Sequence, residues 1–208
     1  MIAPRGLIKC EDRCPAGYAG KIALMTPDQA RTLMHEWVAS ESLRGHMEAV
    51  AACMSAHATI HAPEDADDWM VAGLLHDFDY EKHPTEAEHP FVGVEFLRSR
   101  GDVNEPILQA ILGHALYSGV ERDTPMAKHL FACDELAGFI VACAKVRPNG
   151  VGDLKSKSVK KKLKDKNFAA AVSRSDIALG IEEISVDQTE HIDRCIDAIR
   201  AAADRVGC

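Results

Sequence analysis

Along most of this chain, helix-start signals stand directly before apolar residues that recur at three- and four-residue steps, and no segment alternates as a half-buried strand would. Thr26-Pro27-Asp28-Gln29 combines a capping hydroxyl, a proline at the first helical position and a Gln placed to close a capping box, ahead of Leu33, Met34, Trp37 and Val38. Leu43, His46, Met47, Val50, Met54 and His57 share the next apolar face. Asp65 can cap a helix through Trp69, Ala72, Gly73 and His76, and Pro90 suits the first turn of one carrying Phe96 and Leu97. Asn104 precedes Ile107, Ala110, Ile111 and His114, while Thr124-Pro125 precedes Leu130, Cys133, Asp134, Ala137 and Val141. Arg147-Pro148-Asn149-Gly150 is a turn. A short Lys-rich helix follows, then a segment capped by Ser175 and ending near Ser185, then a final helix from Asp187 toward Gly207. The expected fold is all-α, a compact multi-helix bundle. Residues 1–25 read as a leader and 26–208 as one domain, with the helices over about 155–206 as a C-terminal extension.

At 208 residues and 47% apolar composition the chain can bury one sizeable core. No apolar stretch approaches the ~20 residues that span a bilayer. Met1 to Gly20 mixes Arg5, Lys9, Glu11, Asp12 and Arg13 and lacks the apolar segment of a signal peptide, so a cytoplasmic location is expected. Seven cysteines, an odd number at irregular spacing, do not form a disulfide framework. Cys53, Cys133 and Cys143 read as small core residues. Cys10 and Cys14 would need two further ligands to hold zinc, and none lies nearby in sequence. The net charge of −8 is uneven: from Lys145 to Lys166 nine Lys/Arg face two Asp, a local +7, which leaves −15 on the rest. A basic island on an acidic chain suggests a local anion site rather than nucleic-acid binding.

His76-Asp77 closes the apolar run Met70-Val71-Ala72-Gly73-Leu74-Leu75. An imidazole beside a carboxylate is costly to bury unless something positive holds it, and a divalent metal does that. His46, His89, His114 and Asp134 also fall on or beside apolar helical faces, and together they supply the mixed imidazole and carboxylate donors that one or two first-row metal ions require. Any one of these histidines alone is more simply a hydrogen-bonded core residue. Asp77 and Asp134 are harder to dismiss, because a carboxylate on an apolar face rarely stays buried unpaired. His83 competes with His89 in the loop from Tyr80 to Pro90, and the helix-start context with Gly93 favours His89. His57 reads as packing; His35, His61, His129 and His191 read as surface or helix-side residues.

Gly73-Leu74-Leu75-His76-Asp77, within the order H…HD…H…H…D, resembles the signature of the HD superfamily of metal-dependent phosphohydrolases over roughly Leu43 to Val146. The resemblance implies a first metal on His46, His76, Asp77 and Asp134. In the binuclear branch it implies a second metal on His89 and His114, with Asp77 as the bridging, catalytic carboxylate. His89-Pro90-Phe91-Val92-Gly93 and Gly113-His114-Ala115-Leu116-Tyr117-Ser118-Gly119 are similar to a bacterial subgroup of unassigned substrate. The Gly-Tyr-Pro motif of members specific for cyclic dinucleotides is missing, which argues against such a substrate.

The leading expectation is hydrolysis of a small phosphorylated molecule or nucleotide, with Lys145 and Arg147, just after the Asp134 helix, as candidate phosphate-binding residues. Lys145 lies about 16 Å along that helix from Asp134, too far to touch a phosphate at the metal. It would serve only a long substrate. The Lys155–Lys166 stretch reads as a solvated Lys-rich helix. The alternative is an oxygenase with a mixed-valent pair of irons, for which some members of the superfamily use the same six ligands. Tyr80 and Tyr117 lie near the ligand positions and suit either chemistry. A non-catalytic metal-binding module is the third class.

Overall fold

The computed structural model describes residues 24–208, in which every regular element is helical. The chain runs through α1 (Pro27–Trp37), α2 (Glu41–His61), α3 (Ala66–Leu75), α4 (Phe91–Arg100), α5 (Glu105–His114) and α6 (Pro125–Lys145). It continues through α7 (Ser156–Leu163), α8 (Arg174–Ile184), α9 (Gln188–Ala201) and the single-turn α10 (Ala203–Val206). No helix among these residues is long and apolar enough to cross a membrane. Cys10, Cys14 and all but the last two residues of the expected leader lie outside the described residues.

Local chemistry sets most of the boundaries. Thr26 and Gln29 close the capping box reciprocally, and Asn104 and Thr124 accept the backbone N–H groups of Ile107 and Ala127. Three expectations are corrected. Asp65 occupies the N-cap of α3, but its side chain makes no capping bond. Ser173, not Ser175, caps α8, because its hydroxyl accepts the Asp176 N–H while Ser175 already lies within the first turn. The final helix is broken at Ala202, whose non-helical backbone separates α9 from α10.

The two longest helices, α2 and α6, form the centre. α2 packs on α3, α6 and α9, while α6 packs on α5 and α8. Two glycines permit the closest approaches. A Cβ on Gly73 would stand 2.6 Å from the Ala51 Cα on α2, and one on Gly180 would stand 2.6 Å from the Ala132 Cα on α6. The C-terminal helices are therefore built into the core rather than appended to it: Ile192, Cys195, Ile196 and Ile199 of α9 are all buried.

Candidate metal centre

α3 ends one residue before the His-Asp pair. His76 is its C-cap and Asp77 opens the turn beyond it, so these two ligand candidates sit at a helix end and not within a helix. Each residue of this turn faces a different environment. Phe78 drives into the core, its ring 4.8 Å from Trp37, and anchors the turn. Asp77 and Tyr80 face a cavity of about 610 Å³, whereas Asp79 is fully buried on another side.

Six side chains from five parts of the chain converge here, and all but the fully buried His76 line that cavity. His46 comes from the second turn of α2, His114 from the last residue of α5, Asp134 from the middle of α6, and His89 from the residue before Pro90. The His46 Nε2 lies 3.0 Å from an Asp134 oxygen and 3.2 Å from the His76 Nε2. The His89 and His114 Nε2 atoms lie 3.3 Å apart, and each stands 3.3 Å from the Asp77 Oδ1. The other Asp77 oxygen faces the first group, 3.8 Å from His46 and 3.6 Å from His76. The donor atoms therefore fall into two sets, His46/His76/Asp134 and Asp77/His89/His114, and Asp77 directs one oxygen to each.

Three of the four rings are oriented by their far nitrogens. The His76 Nδ1–H donates to the Gly73 carbonyl at 2.9 Å, the His114 Nδ1–H to that of Ile111 at 2.5 Å, and the His89 Nδ1–H to Asp79 at 2.7 Å. With those protons on Nδ1, neutral rings present Nε2 lone pairs to one another. That repulsive arrangement becomes favourable when a cation stands between them. Asp79 is itself fixed by the Gly93 N–H at 2.8 Å, in space that a side chain at Gly93 would fill.

The charges in the site are strongly coupled. Burial alone would lower the His76 pKa, yet Asp77 and Asp134 outweigh it and raise the group to about 9. His89 rises to about 9 in the same way, against burial, through Asp77 and Asp79. Burial would raise both site carboxyls, but His76, His114 and His89 hold Asp77 well below the usual carboxylate range, and His46 and His76 do the same for Asp134. Glu135 moves the other way. Burial and the neighbouring Asp134 raise it to about 7, although it accepts the Ser173 N–H at 3.0 Å. Burial and Asp77 push Tyr117 up to about 12.

Of the two loop histidines, His89 reaches the cluster, while His83 points toward Glu88, 3.4 Å away. Tyr80 and Tyr117 line the cavity, Tyr80 with its ring edge-on to His89. Lys145 and Arg147 do not line it. Lys145 is exposed at the end of α6, and Arg147 pairs with Asp153 at 2.7 Å beside a separate cavity that also holds Lys161 and Lys162. The length of α6 places Lys145, and the turn after it Arg147, away from the cavity at Asp134. Sequence reasoning missed Asp79 and Glu135. The available signals were the Asp-Phe-Asp repeat, which returns a second carboxylate to the same turn, and the carboxylate adjacent to Asp134.

A family model described as HD domain matches residues 43–138. No curated protein and no solved structure matches the chain.

Proposed function

With residues 43–138 belonging to the HD-domain superfamily, we propose that this chain is a metal-dependent hydrolase of a small phosphate ester or nucleotide. In this reading His46, His76 and Asp134 hold one divalent ion, His89 and His114 hold a second, and Asp77 is shared between them. The observation that carries it is the division of the Asp77 carboxylate, one oxygen toward each histidine group. When bound, such a pair supplies Lewis acidity, lowering the pKa of water and offsetting the charge that develops on phosphoryl oxygens.

The residues around the ligands define the remaining tasks. Among the described residues no Lys or Arg lines the cavity, so in this reading the ions supply the positive charge that meets a phosphate. Tyr80 and Tyr117 stand at the walls, where their rings can flank a substrate and their hydroxyls can donate to it. Glu135 can carry a proton near neutral pH, which suits it to protonate a leaving oxygen.

The test is turnover of phosphate esters under strictly anaerobic conditions with added Mn²⁺ or Fe²⁺. Hydrolysis without oxygen is expected. Glu135→Gln should slow alkyl esters by about 10²-fold or more while leaving nitrophenyl esters, whose leaving group needs no proton, much less affected. A second reading, a diiron oxygenase, is favoured by the lack of Lys and Arg around the cavity, which suits an uncharged substrate equally well. Activity that demands O₂ and leaves every phosphate ester untouched would establish that reading instead.

A further inference from the structure

One residue before Asp134, the chain enters a second cluster that shares no side chain with the first. His57 of α2, Cys133 of α6, and His191 and Cys195 of α9 are all buried, and each offers a ligand atom within 4.8 Å of the others. The sequence pattern assigns Cys133 and His57 to packing and reads His191 and His129 as surface or helix-side residues. Both of the latter are buried, His191 because α9 lies against α2 and α6, and His129 among His57, His61 and Trp69.

The hydrogen bonding of these rings is incomplete. His191 Nε2–H donates to the Ala132 carbonyl at 3.1 Å, which leaves a lone pair on Nδ1. That atom faces the His57 Nε2 at 3.0 Å and the Cys195 sulfur at 4.0 Å. If the His57 Nε2 donates there, its Nδ1 becomes a buried lone pair, and that atom has no partner. His129 repeats the problem: its Nδ1–H is spent on the Pro125 carbonyl at 2.8 Å, and its buried Nε2 has no partner either. Two nitrogens lie buried with no partner, which costs stability.

A metal ion between the His57 Nε2 and the His191 Nδ1 would take a lone pair from each of these facing atoms, which otherwise share a single hydrogen bond. Two thiolates and two imidazoles around a divalent cation also form a neutral unit, the only inexpensive way to bury that charge. Four protein donors leave no position for water or substrate, which defines a structural site rather than a catalytic one.

We propose that His57, Cys133, His191 and Cys195 form a closed, tetrahedral zinc site that ties α9 to α2 and α6. Binding releases two thiol protons to solvent and pins the stretch of α6 that carries Asp134.

Cobalt substitution distinguishes this site from the first, which contains no sulfur. Full-length protein reconstituted with Co²⁺ should show thiolate-to-cobalt charge-transfer absorption and the intense visible bands of tetrahedral coordination, both discharged by one equivalent of Zn²⁺. His191→Ala and Cys195→Ala should lose these bands; the double variant Cys10→Ser/Cys14→Ser should keep them. Absence of charge transfer in the wild type, survival of the bands in Cys195→Ala, or their loss in the Cys10/Cys14 variant would each overturn the assignment. Should the single variants fail to fold, the Asp77→Ala protein supplies an independent reading. There Zn²⁺ should still raise the melting temperature by several degrees and a chelator should reverse it, and no shift would overturn the proposal.

Discussion

Two of the imidazoles around Asp77 hold protons that metal binding must displace. An imidazole ligates only when neutral, and His76 and His89 retain their protons up to about pH 9. The sign follows directly: below that pH each proton competes with the cation, so apparent metal affinity rises with pH and levels off above about 9. Competition titrations from pH 6 upward should show up to about tenfold tighter binding per pH unit for each proton displaced, and a flat profile would contradict the raised pKa values. Asp79 acts one step removed, by orienting His89 through Nδ1. Asp79→Ala should weaken metal binding by about 10–100-fold, measured by the same titrations, with the proposed ion on His89 and His114 the first to be lost.

At the scale of the element, the centre depends on how closely α2 and α3 approach, because one carries His46 and the other is C-capped by His76. Gly73 sets that distance. An added Cβ would meet the backbone of Ala51 and Val50, which no rotamer change relieves. Gly73→Ala should therefore cost about 1–3 kcal/mol in thermal or denaturant unfolding, as overpacked cores do. It should also weaken the metal centre, since a ligand displaced by about 1 Å loses its geometry. An unchanged melting temperature with unchanged metal content would show that the helices can separate freely. The turn after α3 is equally specific: Phe78 is held against Trp37 and Phe96, and this fixes the directions of the residues on either side.

At the scale of the molecule, α8 and α9 complete the core around α6. Ile177, Ile192, Ile196 and Ile199 are buried, and each contributes about 1.5–3 kcal/mol through burial. Together that is comparable to the ~5–15 kcal/mol net stability of a whole domain. Truncation after residue 172 should accordingly give a chain without cooperative thermal unfolding by circular dichroism, even though it retains all six metal-ligand candidates. A truncated chain that melts cooperatively near the full-length temperature would make the C-terminal helices a true appendage. The Lys-rich α7 stays peripheral, with Ser156 and Val159 as its buried residues and its lysines mostly at the surface.

The all-α class, the starts of α1, α3, α5, α6 and α9, and the six converging side chains were legible in the linear sequence, because capping, proline placement and apolar spacing are properties of neighbours within a few residues. His76-Asp77 stood out for the same reason, a polar pair ending an apolar run. Chain order carried no information about the directions of the Asp77 oxygens, about Asp79 supporting His89, or about Lys145 and Arg147 turning away from the cavity. Those depend on helix-to-helix distance and on where a turn aims each side chain. The clearest case is His191: on α9 alone it lies on an amphipathic helix with no sign of burial, and only the packing of α9 against α2 and α6 takes it out of water and places it beside His57, Cys133 and Cys195. Local propensity decides what each segment becomes, whereas burial of a polar residue is decided by whatever packs over it, which is long-range and has no local signature.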